Sequence, residues 1–179
     1  FKNLGLPEPG LHWTLDDFER IGRAFVEKAN PPGTRQRSYF INVLSLPSLR
    51  RSMGFSLFNE TMTRCMLDDP RNAELMRRMY RWTTELHLIP TTAEQTAMTA
   101  NSARFGDAVF YLFQHGRYAM INMGRYALIR IRPLGKINMR VVLQPSAGFT
   151  NVEFSCGIIR RVIVEVQQRK QHVRINKDT

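Results

Sequence analysis

Gly116-Arg117-Tyr118-Ala119-Met120-Ile121-Asn122-Met123-Gly124-Arg125-Tyr126-Ala127-Leu128-Ile129 is the stretch on which the fold turns. Before it, apolar residues recur at the helical period of about 3.6; after it, they recur at two. Gly-Arg-Tyr-Ala followed by two apolar residues occurs twice within it, eight residues apart. That offset is too short for a solenoid and suits successive strands of a hairpin turning near Asn122 to Gly124.

Working outward, Ala127, Ile129 and Ile131 share one face opposite Leu128, Arg130 and Arg132, and the odd positions of Ile137 to Leu143 are all apolar. Val162, Val164 and Val166 alternate with Arg161, Ile163 and Glu165 in the same way. Pro133-Leu134-Gly135 and Pro145-Ser146-Ala147-Gly148 read as the turns between these strands.

Upstream, Thr14 is a good N-cap, with Asp16, Asp17 and Glu19 in the first turn and Trp13 and Phe18 at staple spacing. Leu15, Phe18, Gly22, Phe25 and Ala29 follow at helical spacing until Asn30-Pro31-Pro32-Gly33 stops the run. Tyr39 to Leu46 reads as a buried strand or a helix start, and periodicity alone does not separate the two. A second helix is expected from Pro47 to about Leu67, weakened by Gly54, with Phe58, Met62, Cys65 and Met66 on one face. Asp69-Pro70 opens a third, with Leu75, Met76, Met79, Trp82, Thr83 and Leu86 as its stripe. Thr92 with Gln95 forms a capping-box pattern for a fourth helix that extends to Gly116. The expected fold is α+β: N-terminal helices packed on a C-terminal antiparallel sheet, in one domain over 1–179, mainly helical over 1–115 and antiparallel β over 116–176.

The chain has 179 residues, 43% of them hydrophobic, with 21 Arg, only 5 Lys and a net charge of +11. Thirteen basic and ten acidic residues lie up to Pro90, thirteen and five beyond it, so the excess belongs to the C-terminal half. Guanidinium favours bidentate contacts with phosphate and carboxylate, and such a half suits a polyanion. Pro and Gly total 20 and there are two cysteines, which excludes a collagen-like repeat, a disordered tail and a disulfide scaffold. Cys65 and Cys156 are expected to be buried thiols. The most apolar region, Ala108 to Ile131, is interrupted by His115, Arg117, Arg125 and Arg130, so no membrane span is expected. The first residue is Phe1, as in a processed or trimmed product.

Two constellations suggest binding. The Arg117/Tyr118 and Arg125/Tyr126 pairs could each hold a phosphate and stack a base. The bland alternative is a strand start whose Tyr packs inward while its Arg is solvated. Arg130, Arg132, Arg140, Arg160 and Arg161 fall on strands or strand ends, where one sheet face could carry them together against a nucleic-acid backbone. The bland alternative there is a solvated face or a contact with an acidic protein.

The four histidines show no metal-ligand spacing, and no nucleophile elbow, phosphate loop or dinucleotide fingerprint occurs. No enzyme, metal or cofactor is expected. These features predict a non-catalytic basic subunit of a ribonucleoprotein assembly, of the mitochondrial ribosome or RNA-processing kind, binding RNA phosphate through an Arg-rich sheet face beside other protein subunits. The alternative is a structural subunit of a membrane-associated complex whose Arg side chains pair with acidic neighbours or lipid head groups. The expected location is mitochondrial, otherwise an intracellular reducing compartment.

Overall fold

Thr14 starts the first helix as its chemistry dictates. Its hydroxyl accepts from the Asp17 N–H at 3.0 Å while the Asp17 carboxylate accepts from the Thr14 N–H at 3.2 Å, and α1 runs over Leu15–Ala29. The Trp13 and Phe18 rings lie 5.9 Å apart across the helix start, forming the expected staple. The computed structural model describes residues 1–100, 108–124, 129, 139–149 and 155–160.

The buried stripe of α1 is Leu15, Phe18, Ile21, Gly22 and Phe25. It packs on β1 (Tyr39–Ile41), all of whose residues are buried. Gly22 makes this approach possible: a Cβ there would lie 2.9 Å from the Phe40 ring and 3.0 Å from Leu88. Phe40 sits at the centre of an aromatic cluster, with Phe18, Phe25 and Trp13 at 5.2, 5.9 and 6.4 Å. Trp82 closes it at 4.8 Å from Phe18 and donates its indole N–H to Glu19 at 3.1 Å.

The further α-helices named among the described residues are α2 (Leu46–Ser52), α3 (Pro70–Tyr80), α4 (Thr92–Thr99) and α5 (Ala108–Gln114). Asp69 caps α3 with Pro70 behind it, and a π-helical turn over Arg81–Glu85 carries the chain towards β1's neighbour Leu88, whose carbonyl accepts from both Phe40 and Ile41.

Four expectations along this half are corrected. The second helix ends at Ser52, well short of Leu67, because Gly54 adopts a left-handed φ of 77° beneath the Phe149 ring. The chain beyond it forms a loop held by Asn59, whose side chain accepts from the Thr63 and Arg64 N–H groups; Cys65 is therefore exposed rather than buried. The capping box of α4 belongs to Thr91 and Glu94, one residue before the expected pair. The helix stops at Thr99 instead of extending to Gly116, and α5 is separate.

The chain is α+β, but its sheet is mixed rather than antiparallel. Its order is β1-β2-β4-β3, with β2 (Tyr118–Gly124), β3 (Met139–Val142) and β4 (Ser155–Arg160). β1 and β2 are parallel, with Tyr39 opposite Tyr118 and Ile41 opposite Met120. The intervening helices make the long crossover that a parallel pair requires. β4 lies antiparallel to both β2 and β3.

Asn122 to Gly124 is not a hairpin turn: β2 runs through it, and its partner there is β4, with Gly124 opposite Ser155. In β3 the inward position is Val142, fully buried, whereas Val141, on the expected inner face, is exposed. The strands expected over 126–132 and 162–166 and the turn at Pro133 lie outside the described residues, apart from an exposed Ile129. Among the described residues no helix is long and apolar enough to cross a membrane.

Candidate functional site

β1 ends at Ile41, and the next residue takes over its role in the ladder with a side chain. Asn42 is buried; its Oδ1 accepts from the Asn122 N–H at 2.7 Å, and its Nδ2 lies 3.5 Å from the Asn122 carbonyl. The Asn122 main chain is thereby paired after the neighbouring strand has left. The Asn122 side chain points on to Gln144, whose Nε2 donates to its Oδ1 at 3.2 Å. Asn122 and Gln144 are half-buried, and Val43, next to Asn42 in the chain, is exposed. Three amides thus meet at the carboxyl ends of the parallel pair. Each amide both donates and accepts, and none carries charge. The carboxyl ends of parallel strands are where open α/β sheets commonly hold ligands.

The amino ends of the same strands are different in kind. A cleft of about 670 Å³ is lined there by Arg35, Arg37 and Arg117 together with Tyr39, Glu94 and Tyr111. Burial opposes ionisation of Glu94, but hydrogen bonds from the Thr91 N–H and hydroxyl and from the Tyr39 hydroxyl outweigh it, so its pKa falls below the usual carboxylate value. Burial pushes the Tyr39 phenol up, and the hydrogen bond to Glu94 adds to this. Close by, His87 has a left-handed φ of 49°, and burial, with the Arg37 charge, lowers its pKa.

The residues expected to bind nucleic acid are distributed as follows. Arg117 lines the cleft, its Nε donating to the Arg37 carbonyl at 3.0 Å and its Nη1 to Gln36 Oε1 at 2.5 Å. Tyr118 is 1% exposed and packs inward with Tyr39, Phe110, Phe113 and Ile121; burial pushes its phenol up to about 12. Arg140 does not stand on an open sheet face. Its register row is Met120, Ile159, Arg140, on the same side as buried Val142, and its guanidinium lies 3.8 Å from Glu8. Arg160 is on β4 opposite Met139. Arg125, Tyr126, Arg130, Arg132 and Arg161 lie outside the described residues.

No protein-family model and no curated protein matches the chain. A solved structure does. The fold is similar to that of an ABC substrate-binding protein from Listeria monocytogenes in complex with cycloalternan, with a TM-score of 0.64 and 16% identity. The likeness covers 94% of this chain and 40% of that one, so this chain spans well under half of that protein's length.

Sequence reasoning missed Asn42, Asn122 and Gln144 because it looked for charge, and isolated amides carry no spacing signature. The available signal was a polar Asn at the end of each of two strongly apolar segments, Tyr39 to Ile41 and Tyr118 to Ile121. Among the described residues no group of His, Cys, Asp and Glu is placed to hold a metal ion.

Proposed function

We propose that this chain is a non-catalytic solute-binding unit, one lobe of a substrate-binding protein, which holds an uncharged, hydroxyl-rich solute of the cycloalternan kind at the carboxyl ends of β1 and β2. The observation that carries this reading is the convergence of Asn42, Asn122 and Gln144 at that end of a sheet whose fold resembles a substrate-binding protein. A hydroxyl group needs a donor and an acceptor at once, which amides supply without the desolvation penalty of a charge.

Isothermal titration of cycloalternan and linear neutral oligosaccharides tests it. Saturable binding that Asn122→Leu abolishes, with the circular dichroism spectrum unchanged, is expected; absence of binding by the wild-type chain to every neutral sugar overturns it.

The Arg excess favours a second reading, a basic ribonucleoprotein subunit that contacts RNA phosphate, supported by the charge of the C-terminal half and by the three arginines of the cleft. RNA affinity should then fall steeply between 50 and 200 mM salt, by roughly 10³-fold or more for six contacts. A flat salt response sinks it. Co-purification with acidic protein or lipid, and no nucleic acid, favours the membrane-associated scaffold instead.

A further inference from the structure

Arg35, Arg37 and Arg117 face a single carboxylate, Glu94, across the amino-end cleft, and that carboxylate is already engaged. Its Oε2 accepts from the Thr91 N–H and hydroxyl, both at 2.8 Å, and the Tyr39 hydroxyl hydrogen-bonds to it as well. Among the described residues Arg35 and Arg37 have no carboxylate partner. The cleft therefore carries a surplus of positive charge that its own residues do not neutralise. Several arginines elsewhere are paired within the chain, among them Arg78 with Asp16 at 2.8 Å and Arg81 with Glu19 at 2.9 Å.

Arg117 is oriented for use. Two acceptors, the Arg37 carbonyl and Gln36 Oε1, fix the plane of its guanidinium, while Nη2 meets only the Met98 sulfur at 3.6 Å, a weak acceptor. Nη1 and Nη2 each keep a second N–H that can be donated to an anion. The lining also carries an aromatic group. Tyr111 is 56% exposed, and its ring lies 4.0 Å from the His115 ring, whose Nδ1 sits 2.7 Å from the Tyr111 carbonyl oxygen. The second contact fixes the His115 ring beside that of Tyr111, whose exposed ring can receive a planar group.

We infer that this cleft binds a small phosphorylated compound bearing an aromatic ring, its phosphate on Arg35, Arg37 and Arg117 and its ring on Tyr111. The volume suits one such molecule, since small-ligand clefts run from about 300 to 1,000 Å³. The site is independent of the neutral-solute reading, because Asn42 and Asn122 lie at the other end of the strands.

Calorimetric titration with adenosine monophosphate, adenosine and inorganic phosphate tests the inference. The monophosphate should bind at least tenfold more tightly than either fragment. Arg35→Gln and Arg117→Gln should each weaken it about tenfold, and Tyr111→Ala should bring it down to the level of inorganic phosphate. Arg35 is exposed at the rim of the cleft, so its variant keeps the test valid if Arg117→Gln disturbs the loop. Asn122→Leu should leave the binding unchanged, whatever it does to sugar binding. Equal affinity for all three compounds overturns the inference, as does indifference to Arg35→Gln and Tyr111→Ala. Affinity that grows with the length of a single-stranded oligonucleotide also overturns it, in favour of an RNA chain.

Discussion

The two ends of the β1–β2 pair share a core and differ in how they present polar groups. At the carboxyl end neutral amides converge on Asn122, with Asn42 completing the ladder for its main chain and Gln144 donating to its side chain. At the amino end charged and aromatic groups line a cleft, and one engaged carboxylate faces three arginines. Under the proposed readings, the first arrangement would recognise a solute by hydrogen-bond pattern and tolerate salt, whereas the second would work through charge and be screened by it. Overall net charge does not distinguish them, since the uncharged end is invisible to charge counting.

The largest effect comes from the residue both ends stand on. Phe40→Ala removes the centre of the aromatic cluster and should cost about 3–5 kcal/mol in urea unfolding. Binding at the two ends should then weaken together. If one end keeps full affinity at unchanged stability, the shared-core account is broken.

Asn42→Leu separates the ends. It leaves the Asn122 N–H and carbonyl without the partner that replaced β1, a loss of about 1–3 kcal/mol. Sugar binding should fail while phosphate binding survives. Equal loss at both ends would show that the amides are a structural hinge for the sheet and not a site.

The smallest effect sharpens the amino end. His87 faces Arg37 and Glu94, and burial lowers its folded-state pKa below the 6.5 of an exposed imidazole. The folded state thus binds fewer protons than the unfolded one between those values. Its contribution to stability is complete above pH 6.5 or so and is lost as pH falls through that value towards the folded pKa. His87→Asn, which tolerates the left-handed backbone, should flatten the fall in Tm between pH 7 and 5. An unchanged slope would mean that His87 is not the titrating group.

Much of the helical half was legible because its signals are local. Thr14 with Asp17 and Asp69 with Pro70 declare helix starts within four residues, and both helices begin there. The end of α2 was flagged by Gly54 but outweighed by an apolar pattern in Phe58, Met62 and Cys65 that a loop also satisfies.

The sheet was less legible. The period of two announces strands, yet the parallel pairing of β1 with β2 depends on contacts such as Asn42 to Asn122, 80 residues apart, which no local pattern encodes. The same holds for the candidate sites. Arg117 stood out in the sequence, but its partners Gln36 and Arg37 come from the far side of the crossover, and Tyr111 rather than Tyr118 supplies the exposed ring.

The central claim, that one end of the sheet recognises neutral solutes through amides, is tested most directly by titrating cycloalternan into the wild-type chain and the Asn122→Leu variant at 50 and 500 mM salt. The account predicts binding by the wild-type chain that is indifferent to salt and absent from the variant. Binding that weakens with salt, or that the variant retains, would contradict it.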